Sequence, residues 1–191
     1  KMGVRKVESI DNTANGIKLS WKKYKAASGY VVYRGVNGKA YTIAGVVQNP
    51  DTTSFVDVTA KNVGVKYTYK IRTYKTFGDV TYNSAFGGEK TGSYVPAVKL
   101  KKFTSASAGT AKVTYNKVAK ATGYQIQYAD NASFKSAKTA NVNGGSVTSK
   151  TIKRLTKGKR YYVRVRSFKK IDGKVYYSAW SGKKSVVIKK R

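Results

Sequence analysis

The only residues of this 191-residue chain with conventional catalytic chemistry are eight aspartates and glutamates, because histidine and cysteine are absent. The usual general base and the commonest nucleophile and metal ligands are therefore missing. Hydrolysis by paired carboxylates needs two acids about 5–10 Å apart in a cleft. Asp57 and Asp79 are the nearest candidates, and a strand-end cap and a turn explain them more simply. The sequence predicts a protein that is not an enzyme and uses no cofactor or metal.

Binding chemistry is concentrated instead in the basic stretch "GKRYYVRVRSFKK" at residues 158–170. Side chains along a strand alternate with a period of two, so Val163 and Val165 point towards a core. Arg164 and Arg166 then lie on the solvent-exposed face. Basic residues at the ends of this strand extend that face. The predicted anion- or glycan-binding face comprises Tyr162, Arg164, Arg166, Lys157, Lys159, Arg160, Lys169, Lys170, Lys174 and Trp180.

Two interpretations of this face remain open. In the first, Trp180 lies across Arg164 and Arg166 and stacks on their guanidinium planes, each contact contributing about 0.5–1 kcal/mol when exposed. Most charge runs are solvated faces, which favours this structural ladder. In the second, the same face binds a ligand.

Net charge points to polyanions as the partners of such a face. The chain has 39 Lys and Arg against 8 Asp and Glu, a formal charge of +31. Residues 1–95 carry 15 basic and 6 acidic side chains, whereas residues 96–191 carry 24 basic side chains and only Asp130 and Asp172 as acids. Lysine, a hydrated point charge, outnumbers arginine 31 to 8, so diffuse attraction is favoured over sequence-specific recognition.

Composition favours strands and leaves the location of the protein open. The 16 tyrosines and many valines and threonines suit pleated, half-buried surfaces. No apolar run is long enough to cross a bilayer, and "KMGVRKVESI" lacks the apolar core of a signal peptide. Either the protein is cytosolic, or the sequence is part of a longer exported chain with neighbouring domains.

An internal repeat relates the two halves. "ASGYVVY" at residues 27–33 recurs as "ATGYQIQY" at residues 121–128, 94 residues later. The same offset carries Tyr67 onto Tyr161 and Phe86 onto Trp180. One register held over several strands means two copies of one fold, and Pro96 marks the seam. The sequence predicts domains at 1–95 and 96–191.

Alternation and turn signals give about seven strands per copy and no helical period. "GIKLSWK" places Ile17, Leu19 and Trp21 on one face. Asn37-Gly38 and "DGK" at residues 172–174 are hairpin turns. The expected fold is all-β, with two tandem immunoglobulin-like sandwiches.

These motifs resemble the fibronectin type III family, and the resemblance covers nearly the whole chain. Its members have a Trp on the second strand, like Trp21, and a "GYxVxY" third strand, like residues 123–128. A Leu, Gly and Tyr pattern is matched by Leu155, Gly158 and Tyr161, and implies that the tyrosine hydroxyl bonds back to the chain upstream. The lysine-rich motifs are similar to tandem modules of secreted and wall-attached proteins of Gram-positive bacteria.

The repeat, the missing catalytic chemistry and the charge of the second half favour a pair of modules that acts as a spacer and an adhesive surface, extracellular or at the cell surface. We expect the basic second module to bind an anionic polymer such as wall teichoic acid or a sulfated or uronic glycan. Two alternatives remain: binding of neutral carbohydrate through Tyr162, Trp180 and Tyr33, and nonspecific binding of nucleic acid. Affinity for an anionic polymer should fall steeply with salt, whereas affinity for a neutral sugar should not.

Overall fold

In the computed structural model the protein consists of β-strands, and the structure describes residues 2–191. Within that range there is no helix, so none is long and apolar enough to span a membrane. The strands are β1 (Ser9–Asn12), β2 (Ile17–Ser20), β3 (Gly29–Val36), β4 (Thr42–Val47), β5 (Ser54–Asp57), β6 (Tyr67–Phe77), β7 (Val80–Asn83), β8 (Lys90–Gly92), β9 (Leu100–Thr104), β10 (Ala111–Tyr115), β11 (Gly123–Ala129), β12 (Lys138–Asn143), β13 (Ser149–Ile152), β14 (Arg160–Ile171), β15 (Lys174–Tyr177) and β16 (Lys184–Val187).

The chain divides into two compact units at the bond between Tyr94 and Val95. That division lies one residue before the boundary expected from Pro96. The first unit contains β1 to β8 and the second contains β9 to β16, each around its own apolar core.

Two antiparallel sheets form the first unit. One has the order β1-β2-β5, and the other has the order β4-β3-β6-β7 with β8 also paired to β6. Period-two alternation buries one face of each strand, so Ile17 and Leu19 are fully buried while Lys18 between them is exposed. Along β6, Tyr69 and Ile71 are buried in the same way. The apolar inner faces pack together as a sandwich.

The second unit repeats this arrangement. Its sheets have the orders β13-β10-β9 and β12-β11-β14-β15, with β16 also paired to β14. Val163 and Val165 are fully buried in the core, and Tyr161 is partly buried against it. In each unit the last two strands pair with opposite ends of one neighbouring strand. β7 and β8 pair with β6, and β15 and β16 pair with β14. The all-β fold with two tandem immunoglobulin-like sandwiches is confirmed.

Two hairpin turns form where the sequence predicts them. Asn37 and Gly38 have φ values of 49° and 78°, and the turn is closed by Lys39 N–H donating to the Val36 carbonyl over 3.0 Å. Asp172 and Gly173, with φ of 46° and 78°, connect β14 to β15. Positive φ at both central positions matches the right-handed twist of the flanking strands.

Buried tyrosines repeat between the two cores. The Tyr30 hydroxyl accepts from Tyr24 N–H at 3.0 Å and donates to the Pro50 carbonyl at 3.1 Å. The Tyr124 hydroxyl makes the same bridge between Val118 N–H and the Gly145 carbonyl, both at 2.9 Å. The 94-residue sequence repeat is thus also a repeat of buried hydrogen bonds.

The tyrosine expected to bond back to the upstream chain does so in each unit. The Tyr161 hydroxyl accepts from Thr156 N–H at 3.4 Å, and the Tyr67 hydroxyl accepts from Asn62 N–H at 3.2 Å. These bonds hold the start of β14 and of β6, the strands that carry the basic side chains.

Candidate functional site

The basic strand β14 lies inside the larger sheet of the second unit. β11 pairs with one side of it, and β15 and β16 pair with the other. Arg164 and Arg166 lie partly exposed on the outer face, opposite the buried Val163 and Val165. The alternation of basic and apolar residues in the sequence therefore corresponds to the alternation of exposed and buried side chains along β14.

Cations and aromatic rings alternate across this outer face. The Arg164 and Arg166 guanidinium carbons lie 4.8 and 4.3 Å from the Trp180 ring centroid. Arg166 also stacks on Tyr177 at 3.8 Å, and Arg164 stacks on Phe134 at 4.4 Å. We call these five side chains the stacked ladder. Such distances are typical of cation–π contacts.

The two guanidinium groups of the ladder also have neutral acceptors. Arg164 Nε donates to Gln127 Oε1 at 2.7 Å, and Arg166 Nη2 donates to Gln125 Oε1 at 2.6 Å. Burial lowers the pKa of both arginines. An incoming anion would therefore meet guanidinium groups that these contacts already order.

The first unit contains a related stack at the repeat-equivalent position. Phe86 replaces Trp180, and its ring lies 4.2 Å from Lys70 Nζ and 5.4 Å from the Arg72 guanidinium carbon. Arg72 also stacks on Tyr33 at 5.1 Å. Because both units contain such a stack, although their charges differ greatly, packing of the sheet explains it.

The remaining predicted face residues fall into two groups. Lys157, Lys159 and Arg160 lie at the beginning of β14, whereas Lys169 and Lys170 lie at its end, beside the hairpin containing Lys174. Ten residue steps along a strand at 3.3 Å each separate Arg160 from Lys170 by about 33 Å. Tyr162 lies between the groups, with Lys183 Nζ 6.0 Å from its ring centroid.

At the beginning of β14 the structure adds basic residues that the sequence did not single out. Lys138, Lys153 and Arg154 line a cleft of about 390 Å³ in the second unit. Alternation along β14 does not identify these residues, because Lys138 begins β12 and Lys153 and Arg154 lie in the loop after β13. Lys159 Nζ lies 3.2 Å from an Asp130 carboxylate oxygen at the same cleft.

The first unit contains a buried charge network that sequence reasoning also missed. Asp57 is 2% exposed, and its Oδ2 accepts from Arg34 Nη1 at 2.8 Å and from the Tyr69 hydroxyl at 2.9 Å. Its Oδ1 accepts from Thr59 N–H at 3.0 Å and Ala60 N–H at 3.2 Å, which is the expected strand-end cap. Burial opposes ionisation of Asp57, but these hydrogen bonds outweigh it and lower the pKa.

A second cleft, of about 710 Å³, lies in the first unit beside the β6–β7 hairpin. Its wall is mainly apolar and includes Tyr24, Phe77 and Tyr82. Phe77 and Tyr82 are exposed and meet edge to face, with ring centroids 6.3 Å apart. These exposed rings are more accessible to a ligand than Trp180 or Tyr33, whose rings are stacked.

Among residues 2–191 no group of three or more acidic side chains is placed to hold a metal ion. Asp57, the most buried acid of the described chain, is occupied by five donated hydrogen bonds within the first unit.

No protein-family model matches the chain, and no curated protein matches it. Among solved structures, a two-domain fibronectin type III segment of chicken tenascin is similar, with 19% identity and a TM-score of 0.46 over 95% of this chain and 98% of that chain. The FN1–FN3 domains of chicken CNTN1 are similar with 17% identity and a TM-score of 0.44, over 98% of this chain and 68% of that chain.

Each unit is an antiparallel β-sandwich of two sheets. The strand order of the two sheets and the tyrosine hydrogen bonds are the same in both units.

Proposed function

We propose that the chain is a non-catalytic pair of fibronectin type III modules from a larger exported bacterial protein, and that it serves as a spacer and an adhesive surface for anionic polymers. The observation that carries the proposal is the charge of the second unit. Residues 96–191 carry 24 basic and two acidic side chains, so the cations of that half outnumber its acidic side chains by 22. A rigid sandwich that displays such a surplus attracts any polyanion.

Salt dependence tests the adhesive part directly. The full chain is titrated with purified poly(glycerol phosphate) at 50 and 200 mM salt, with neutral dextran as the control. If four phosphates are engaged, the log–log slope is about −3, and the affinity falls about 60-fold over this range. Absence of binding at 50 mM salt would refute the adhesive role. Equal affinity for dextran would show that charge is not the cause.

The exported and bacterial context has its own test. An antibody against these modules should detect a polypeptide much larger than 21.0 kDa in the wall or culture-medium fraction of the source cells. A 21.0 kDa species confined to the cytosol would refute both the larger parent and its export.

Binding of neutral carbohydrate is a second candidate function, favoured by the exposed Phe77 and Tyr82 beside the 710 Å³ cleft. Flat aromatic faces with a polar edge suit sugar rings. Affinity at this cleft should be insensitive to salt and should be lost in Tyr82→Ala. Tyr176→Ala, the change at the repeat-equivalent position of the second unit, should leave it unchanged.

A further inference from the structure

The 390 Å³ cleft of the second unit lies where two loops meet at the beginning of β14. Ser136 comes from the β11–β12 connection, Lys138 begins β12, and Lys153 and Arg154 directly follow β13. The volume is at the lower end of the roughly 300–1,000 Å³ typical of ligand sites, so it suits a group the size of one sugar ring.

The floor and the rim of this cleft differ in character. Ala129 and Leu155 are buried and Tyr128 and Tyr161 are partly buried, so these four residues form the floor of a cleft whose lining surface is mainly polar. The exposed rim carries cations and a hydroxyl. Its polar members are Asp130, Ser136, Lys138, Lys153 and Arg154.

Charge at the rim is positive and locally uncompensated. Within residues 2–191, Lys138, Lys153 and Arg154 have no acidic side chain within ion-pair distance. Asp130 faces the same cleft, but Lys159 neutralises it at 3.2 Å. Three cations are therefore left to face an incoming group.

The rim is also held in place before any ligand arrives. Asn131 Oδ1 accepts from Lys135 N–H and from the Ser133 hydroxyl, both at 2.9 Å, which ties the first loop together. Leu155 N–H donates to the Gly109 carbonyl at 3.0 Å and fixes the second loop. A site ordered in advance loses less entropy on binding.

Backbone conformation is unusual at two rim residues. Arg154 and Ser136 have φ values of 58° and 53°, the left-handed region where glycine or asparagine is normally favoured. Residues in such conformations cluster at binding sites, where the surrounding structure enforces them. Here the conformation presents a guanidinium group and a hydroxyl at one cleft.

The first unit lacks every cation of this rim. In sheet register, the residues that correspond to Lys153 and Arg154 lie in the segment 58–60, which reads Val-Thr-Ala, and Thr42 corresponds to Lys138. The cleft is thus a property of the basic unit and not of the shared fold.

We propose that this cleft binds one anionic sugar unit of a polymer, with the ring against Tyr128 and Tyr161 and its charged substituent held by Lys138, Lys153 and Arg154. The inference rests on the proposed function, because it names where a polyanion is held. It also moves the site from the stacked ladder to the loops beside it.

The first experiment titrates the full ¹⁵N-labelled chain with glucose 6-phosphate, glucose 6-sulfate, glucuronate and glucose at constant ionic strength. Amide shifts confined to residues 130–138 and 152–156 are expected for the anionic sugars, and their ranking identifies the preferred substituent. No shifts in these segments, or equal shifts with glucose, would overturn the proposal.

The second experiment compares two variants that each lose three positive charges. Lys138→Gln/Lys153→Gln/Arg154→Asn alters the cleft, with asparagine chosen because it tolerates the left-handed region. Lys169→Gln/Lys170→Gln/Lys174→Gln alters the far end of β14. The cleft variant should lose at least tenfold in affinity for dextran sulfate, a polymer of anionic sugar units, and about 2 in log–log slope, since three contacts are removed. The far-end variant should lose less than threefold.

The outcomes separate this inference from the proposed function. Equal losses in the two variants, with matched thermal unfolding, would refute the cleft while polyanion binding stands. Sugar-phosphate binding at the cleft without any binding of polymer by the parent chain would refute the adhesive function while the cleft stands.

Discussion

Replacement of Asp57 by asparagine should selectively destabilise the first unit. The change removes a buried carboxylate that accepts bonds from Arg34 and Tyr69, and it leaves the Arg34 side chain, 20% exposed, without its counter-charge. Removal of one partner of a buried pair costs about 3–5 kcal/mol, and the partial exposure of Arg34 places the expected cost near 3 kcal/mol.

The assay uses tryptophan fluorescence in urea. The chain has two tryptophans, and Trp180→Phe leaves Trp21 in the first core as the only reporter. With a urea m-value of about 1–3 kcal/mol per molar, a cost of 3 kcal/mol lowers the midpoint by about 1–3 M. A cost below about 1 kcal/mol would contradict the reasoning, because surface-like pairs contribute that little.

The pH dependence of the stability of the first unit tests the role of the Asp57 charge independently. The pKa of Asp57 is lowered on folding, so its carboxylate stabilises the first unit above the unfolded pKa of about 3.9. This stability is lost as the pH falls through the lowered folded value. The parent chain should therefore lose more stability than Asp57→Asn on acidification below about pH 5. Identical acid profiles would show that the charge of Asp57 is not responsible.

The second unit suggests a rescue. In sheet register, Ile152 corresponds to Asp57, and the pair Tyr128 and Val163 corresponds to Arg34 and Tyr69. Arg34→Tyr/Asp57→Ile/Tyr69→Val transplants this apolar trio. Replacement of a buried ion pair by packed apolar groups is often neutral, so the triple variant should recover most of the loss seen in Asp57→Asn. A triple variant less stable than the single one would show that the surroundings do not accommodate the trio.

Three further predictions concern single side chains and are measured by urea unfolding. Trp180→Ala should lower the stability of the second unit by about 2 kcal/mol, because two cation–π contacts and packing are lost. Trp180→Phe should cost less than half of that, since Phe86 fills the equivalent position in the first unit. Equal costs of the two variants would contradict the stacked ladder. Tyr124→Phe should cost about 2 kcal/mol because Val118 N–H and the Gly145 carbonyl lose their shared partner, and a cost near zero would mean that water replaces the hydroxyl. Gly16→Ala should cost more than about 3 kcal/mol, because the added Cβ would lie 2.1 Å from the Asp57 carbonyl oxygen. The added Cβ of Gly38→Ala has no atom within 4 Å, so this variant should cost only about 1–2 kcal/mol of backbone strain.

Local patterns explain why so much of the fold was predictable. A period of two places Ile17, Leu19, Val163 and Val165 in the core, because successive side chains of a strand point to opposite faces. The 94-residue repeat then requires that both halves adopt one fold. The stack of Trp180 on Arg164 and Arg166 was also foreseeable, since the arginines are two residues apart on one face.

Distances between strands and between loops were not predictable in the same way. The pairing of Asp57 with Arg34 depends on the register of β3 against β6. It also depends on how the chain passes from the sheet that contains β3 to the sheet that contains β5, where Asp57 lies. The rim of the 390 Å³ cleft joins Lys138 to Arg154 across the end of a sandwich. No periodicity relates such residues, because their proximity arises only when the loops close.

The sequence by itself determined the strands, their inward faces, the duplication and the charge surplus of the second half, since each of these is a local or compositional property. Only the tertiary structure decided the other partners of the cations. It adds Phe134, Tyr177 and two glutamines to the contacts of the ladder arginines, and it brings Lys138 and Lys153 to one cleft. Side-chain partners are fixed by three-dimensional packing, which brings together residues that are far apart along the chain.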